Sequence, residues 1–171
     1  YLNTSGLINN LAGATLDLQA DGAAINSSTG GGSITNAGIL TKTAGTSTSI
    51  STLVPIAFSN GSSSAVAAGR TILMQGGGRF AGAVNGPGVG ATLDGGNWAS
   101  STGTLTGNWQ WQGGTLNSGT LTNAGTLRIT GATGNAILTG ATLANNGSLL
   151  SDKTGGVFYI NTGGVVTNNG V

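Results

Sequence analysis

The stretches LTNAGTL (residues 121–127), LANNGSL (143–149) and VTNNGV (166–171) decide the fold, because they repeat one pattern at nearly constant spacing. Each places an apolar residue, an asparagine, a glycine and a second apolar residue in the same order. Their first asparagines, Asn123, Asn145 and Asn168, are almost evenly spaced along the chain. ITNAGIL (34–40) is an earlier copy, and FSNGSSSAV (58–66) is a looser one. The repeat is therefore about 22 residues long, and the 171-residue chain contains nearly eight of them.

The segments between the glycines predict strands rather than helices. Leu116, Leu121 and Leu127 recur at short intervals, and their neighbours alternate as in a half-buried strand. Glutamate is absent, and glycine is too frequent for a helix of about ten residues. The secondary structure is therefore expected to be short strands joined by glycine-rich corners.

A parallel coil explains why similar side chains return once in every repeat. Residue i then lies about 4.8 Å from residue i+22 along the coil axis, whereas an antiparallel sandwich or meander gives no reason for this spacing. The sequence predicts an all-β fold, a right-handed parallel β-helix (β-solenoid), as a single domain over residues 1–171. The right-handed sense follows from the usual rule for parallel crossovers. Residues 41–101 are less regular and are expected to contain corners or insertions.

Stacking of the repeats also predicts internal apolar columns. Leu121, Leu143 and Val166 should form one column, and Leu127 and Leu149 should form a second. Because each turn buries little by itself, stability would be a sum over neighbouring turns.

The repeated asparagines and glycines are the candidate structural site. Asparagines stacked at a corner could form a ladder in which each side-chain amide bonds the next. The glycine two residues later could supply a positive φ that turns the chain. The alternative is that these asparagines only form turns. The residues concerned are Asn36, Asn60, Asn123, Asn145, Asn168, Gly38, Gly125, Gly147 and Gly170.

Composition limits the chemistry that the chain can perform. Its 34 glycines raise the question of disorder, which the periodicity answers. Five Lys and Arg against four Asp give a net charge of +1 and no field that would attract nucleic acid. No apolar run is long enough to predict a membrane span. Without His or Cys, Ser-His-Asp triads, soft metal sites and disulfides are excluded, and we expect no cofactor.

The four aspartates are the remaining candidates for catalysis or metal binding. Hydrolysis by a carboxylate pair needs only two acids, but Asp94 and Asp152 have the surroundings of turn residues. Asp17 and Asp21 could approach one another, although a solvated corner is the favoured interpretation. Calcium needs several oxygen ligands, and the repeats lack the GGxGxD spacing of calcium-loaded β-rolls. We therefore predict neither a catalytic nor a metal site.

Two kinds of ligand binding remain open alternatives. Trp109 and Trp111 alternate so that both rings share one face of a strand, where they could stack on a sugar. The favoured alternative is that these rings fill a wider part of the core. Ice binding needs Thr-x-Thr at successive turns, but one repeat on from Thr122 the chain has Ala144, so the array breaks.

Several segments resemble the degenerate repeats of large bacterial surface proteins, namely autotransporter passenger domains and filamentous-haemagglutinin-like adhesins. They are NAGILTKTAGTSTSI (36–50), FSNGSSSAV (58–66), AAGRTILMQGGG (67–78), GATLDGGNW (90–98) and LNSGTLTNAGTLRITG (116–131). The resemblance runs over nearly the whole chain. It implies a secreted, cell-surface β-solenoid that serves as a stalk, adhesin or matrix component, and it offers no catalytic motif.

Both ends of the sequence lie inside a repeat motif, at YLNTSGL (1–7) and VVTNNGV (165–171). Solenoids normally need polar caps, and an uncapped end is a template for another strand. We therefore predict end-to-end association of copies, or further repeats of a longer parent chain. The predicted function is extracellular, structural or adhesive, and not enzymatic. The alternative is a surface module that binds carbohydrate, with ice binding as its weaker form.

Overall fold

The chain forms a parallel β-solenoid. A computed structural model describes all 171 residues and contains eighteen β-strands and no helix. All strands belong to one continuous sheet, and every pairing between named strands is parallel. The strands are β1 (Leu7–Asn10), β2 (Thr15–Asp17), β3 (Gly22–Ile25), β4 (Ser33–Asn36), β5 (Ile39–Lys42), β6 (Ser47–Ile50), β7 (Ile56–Phe58), β8 (Ser63–Val66), β9 (Thr71–Met74), β10 (Gly78–Phe80), β11 (Ala83–Gly86), β12 (Ala91–Asn123), β13 (Thr126–Ile129), β14 (Ala136–Leu138), β15 (Ala141–Asn145), β16 (Ser148–Ser151), β17 (Phe158–Ile160) and β18 (Val165–Asn168).

Each turn of the coil has three faces, and each strand pairs with the strands of the turns before and after it. In the first part of the chain, the first face is formed by β1, β4, β7 and β10. The second face is formed by β2, β5, β8 and β11, and the third by β3, β6 and β9. The long β12 runs through all three faces. After β12, the first face continues with β15 and β18, the second with β13 and β16, and the third with β14 and β17. The chain therefore makes seven complete turns and begins an eighth, as the repeat length predicts.

The register confirms the predicted columns. Leu121 pairs with Leu143 and Leu143 with Val166. Leu127 pairs with Leu149 in the same way on the second face. Leu121, Leu127 and Leu143 belong to one apolar core of 27 buried residues that runs along the inside of the coil, and the half-buried Leu149 and Val166 pack against it.

The length of a turn varies more before Leu127 than after it. The step from Ile8 to its register partner Ile34 is longer than the average repeat, and the step from Gly78 to Trp98 is shorter. The shortest step of all joins Trp109 to Leu127. The irregular region 41–101 nevertheless lies in the same stack, and its SSAV segment forms β8 with Ser64 and Val66 buried.

Candidate functional site

The first candidate site is the corner that follows the first face, and in the last three turns it contains a ladder of asparagine side chains. Asn123 Nδ2 donates to Asn145 Oδ1 at 2.6 Å, and Asn145 Nδ2 donates to Asn168 Oδ1 at 2.5 Å. The amides of Asn123 and Asn145 also donate to a backbone carbonyl of the following turn, that of Ser148 at 2.8 Å and that of Val171 at 3.5 Å. Asn123 and Asn145 are fully buried, so these bonds satisfy groups that no water can reach.

The same arrangement occurs at the other end of the chain, in the first two turns. Asn10 Nδ2 donates to Asn36 Oδ1 at 2.6 Å and to the Ile39 carbonyl at 2.9 Å. Asn10 was missed from the sequence, because the step from Asn10 to Asn36 is longer than the usual repeat. The detectable signal is that Asn10 ends an alternating LINN strand at an inward-facing position.

Asn60 does not belong to the ladder, which corrects the sequence prediction. The register partner of Asn36 is Phe58. Asn60 lies further along the chain, exposed at the corner, where its Oδ1 accepts the Ala83 N–H at 2.8 Å. The corner between β7 and β8 is longer than the one between β4 and β5, and the added length moves the asparagine out of the column.

The glycines that follow the ladder asparagines are needed for a different reason from the predicted one. Gly38, Gly125, Gly147 and Gly170 are not among the glycines with positive φ. Instead, each lies against the backbone of the turn before it. A Cβ on Gly147 would overlap the carbonyl oxygen of Gly125, and the other three glycines meet equivalent carbonyl oxygens. Only glycine allows the turns to stack closely at this corner.

In the third and fourth turns, aromatic rings occupy the asparagine column. Phe58 and Phe80 are register partners, and their rings stack with centroids 5.5 Å apart. Trp98 continues the stack at 5.1 Å from Phe80, and Trp109 packs edge-on against both phenylalanines. The column therefore contains stacked aromatic rings in the middle of the coil and hydrogen-bonded asparagine amides near its two ends.

The tryptophans are buried, so the sugar contact that the sequence left open is wrong, and the favoured interpretation that the rings fill the core is confirmed. Trp109 and Trp111 are 1% and 2% exposed. Their indole N–H groups donate to the carbonyls of Thr106 and Gly113 at 3.1 and 3.0 Å. Neither ring face is open to a ligand, and both rings fill the wider middle of the core.

A buried lysine holds the first two turns together, and sequence reasoning missed it. Lys42 is fully buried, and its Nζ donates to the carbonyls of Leu18, Gln19 and Ala20 at 3.2, 3.2 and 2.9 Å. Asp21 Oδ1 lies 3.1 Å from the same Nζ. The detectable signal is the alternation of ILTK, which places Lys42 at an inward position two residues after Leu40.

Asp17 and Asp21 bind groups of the next turn rather than each other. Asp21 accepts the backbone N–H groups of Thr46 and Ser47 at 2.7 and 3.0 Å, and the Thr46 bond contributes most to lowering the pKa of Asp21 below its ordinary range. Asp17 accepts the Thr43 hydroxyl at 2.5 Å, which lowers its pKa in the same way. These carboxylates act as clamps between turns.

The other charged corner contains Lys153 and an exposed ion pair. Lys153 Nζ donates to the carbonyls of Gln112 and Thr130 at 2.8 and 3.0 Å, and so bridges the two preceding turns. Burial lowers the pKa of Lys153. Arg128 pairs with Asp152 across adjacent turns, and this contact lowers the pKa of the carboxyl. The remaining aspartate, Asp94, accepts Gln75 Nε2 at 3.0 Å, and the structure contains no cluster of three or more acidic residues.

The second candidate site is the pair of open ends of the stack. Strand β1 pairs only with β4, and β18 pairs only with β15, so one edge of each has no partner within this chain. The same is true of β3 and β17 on the third face. Large apolar side chains are exposed beside these edges: Leu7, Leu11, Tyr159, Ile160, Val165 and Val171.

The threonines of the first face do not form a repeating array. Thr120 pairs with Thr142, but Thr142 pairs with Val165. Thr122 pairs with Ala144, which in turn pairs with Thr167. The register therefore breaks the Thr-x-Thr pattern at the step that the sequence indicates.

The chain matches no protein-family model, no curated protein and no solved structure. No membrane-spanning helix occurs in the structure.

Proposed function

We propose that this chain is an extracellular structural or adhesive β-solenoid, a subunit or fragment of a bacterial surface fibre, stalk or matrix that associates end to end. The observation that carries this proposal is the pair of open ends. Parallel strands with free edges and exposed apolar side chains occur at both ends of one continuous core. Such an edge offers unpaired N–H and C=O groups to another strand.

The interior supports a load-bearing role. Amide ladders near both ends, an aromatic stack in the middle and lysines that bind carbonyls of neighbouring turns all connect one turn to the next. The asparagines, aromatic rings and lysines named above nearly all contact a neighbouring turn. We infer that their role is to hold the turns together along the axis of the coil. We propose accordingly that it is not an enzyme.

Sedimentation velocity over a range of concentrations, with negative-stain microscopy of the same samples, tests the proposal. We expect the average mass to rise with concentration and rod-shaped particles to lengthen by whole copies. The double variant Ile160→Lys, Val165→Lys should remain monomeric, because it charges one apolar end. Leu53→Lys, at an exposed residue away from both ends, is the matched control and should still assemble. A wild-type chain that stays monomeric at every concentration would contradict the proposal.

A further inference from the structure

A groove of about 180 Å³ lies on the second face. Asn108 and Thr126, which are register partners, both line it. Arg128 and Leu150, also register partners, continue it toward the next turn, and Val89 lies on the opposite side. The groove thus spans the loop after β11 and the strands of the next three turns, the last of which is β16.

The polar groups of this groove are free to bind a ligand. The Asn108 amide and the Thr126 hydroxyl are half-buried, and neither makes a hydrogen bond within the chain. Arg128 donates to Asp152 through Nε and Nη2, which leaves Nη1 without a partner. Donors and an acceptor therefore converge on one small space, as they do in sites that fix the orientation of a ligand.

The wall that contains Val89 is held in place before any ligand binds. Gln110 Nε2 donates to the Val89 carbonyl. Gly88 lies so close to the preceding turn that a Cβ there would overlap the Val66 carbonyl. A pre-formed wall reduces the ordering cost of binding.

We propose that this groove binds one unit of a neutral saccharide. An amide, a hydroxyl and a guanidinium N–H match the hydroxyl groups of a sugar, and the exposed side chains of Val89 and Leu150 match its C–H surface. Asp152 already balances the charge of Arg128, so an anionic ligand gains little there. The volume is below the range of about 300–1,000 Å³ typical of drug-sized ligands, which favours a single sugar unit. The inference rests on the adhesive part of the proposed function and names its ligand class.

Titration of ¹⁵N-labelled protein with the methyl glycosides of glucose, galactose, mannose and N-acetylglucosamine tests the inference. We expect at least one sugar to shift the NMR signals of the Asn108 side-chain amide. Asn108→Ala and the nearly isosteric Thr126→Val should each weaken that binding by about tenfold, because each removes a hydrogen-bonding partner. Thr142→Val is the matched control, since Thr142 is half-buried on the first face and outside the groove; it should bind like the wild type.

Three results would overturn the inference: no shift at Asn108 with any of the four sugars, unchanged affinity in both groove variants, or binding of methyl glucuronide alone. Sedimentation of the same variants separates this site from assembly, because we expect Asn108→Ala and Thr126→Val to associate like the wild type. Sugar binding by a chain that never assembles would contradict end-to-end association and leave the groove assignment standing. Assembly without sugar binding would contradict the groove assignment and leave end-to-end association standing.

Discussion

Glycine at the ladder corner is required by the neighbouring turn rather than by its own φ. Gly147 has no room for a Cβ because the Gly125 carbonyl lies directly against it. The sequence pattern Asn-x-Gly predicts that glycine is needed, but it does not distinguish a turn conformation from close stacking. Only the register between turns makes that distinction.

Gly147→Ala should destabilise the fold by about 1–3 kcal/mol, as overpacking of a closed site does. Gly113→Ala is the matched control, because Gly113 has no positive φ and a Cβ there would lie 3.4 Å from its nearest neighbour, an ordinary contact. Urea unfolding of the two variants measures the difference. Equal stability of the two variants would show that close approach at the corner is not limiting.

Lys42 is the single side chain that binds the most backbone groups of a neighbouring turn. Lys42→Met keeps the length of the side chain but leaves the carbonyls of Leu18, Gln19 and Ala20 without their donor. We expect a loss of about 1–3 kcal/mol in the free energy of unfolding. Arg79→Met, at an exposed arginine without an ion pair, should change stability by no more than about 0.5 kcal/mol. An unchanged free energy of unfolding in Lys42→Met would contradict the proposed role of Lys42 in holding the first two turns together.

The clamping carboxylates predict a loss of stability in acid. The pKa values of Asp17, Asp21 and Asp152 lie below the ordinary value of 3.8, so the folded chain binds fewer protons than the unfolded chain near that pH. Their contribution is fully present above pH 3.8 and is lost as the pH falls through the lower folded values. The Tm should therefore be constant from about pH 7 to 5 and fall below about pH 4. Asp21→Asn should flatten this fall, and an identical acid profile in that variant would exclude the clamp.

At the scale of elements, the last third of the coil could be predicted from the sequence and the middle could not. From β12 onward most turns keep nearly the same length, so the columns of Leu121 and Leu127 follow from counting. In the middle, unequal steps shift the register, and Phe58 takes the position that counting assigns to Asn60. A phenylalanine ring and an asparagine amide can occupy the same column, but a search for repeated residues does not align one with the other.

The cluster of Phe58, Phe80, Trp98 and Trp109 fills the core where the turns differ in length. Phe80 contacts three other rings, and Phe80→Ala should cost about 3–5 kcal/mol. Phe158→Ala is the comparison, since Phe158 is only half-buried near one end and contacts a single ring; we expect a smaller cost there. Thermal unfolding of the two variants tests the ranking, and a larger loss at Phe158 would contradict it.

At the scale of the whole molecule, the sequence predicts the architecture better than the sites. Repeat length alone yields the parallel coil and its number of turns, because stacking forces like residues into register. The sites depend on which face of a strand is buried: alternation shows that Trp109 and Trp111 share a face, and the structure shows that this face is the inner one. The groove at Asn108 joins residues from three turns and a loop, so no local motif marks it. The right-handed sense of the coil stays a prediction from the crossover rule.

Diffraction from aligned assemblies of the purified chain tests the central claim, end-to-end stacking, most directly. If copies continue one coil, the strand spacing of about 4.8 Å must appear along the long axis of the assembly. We predict that meridional reflection, from filaments one solenoid wide. Filaments in which the same reflection lies on the equator, or a chain that forms no filaments at all, would contradict the account.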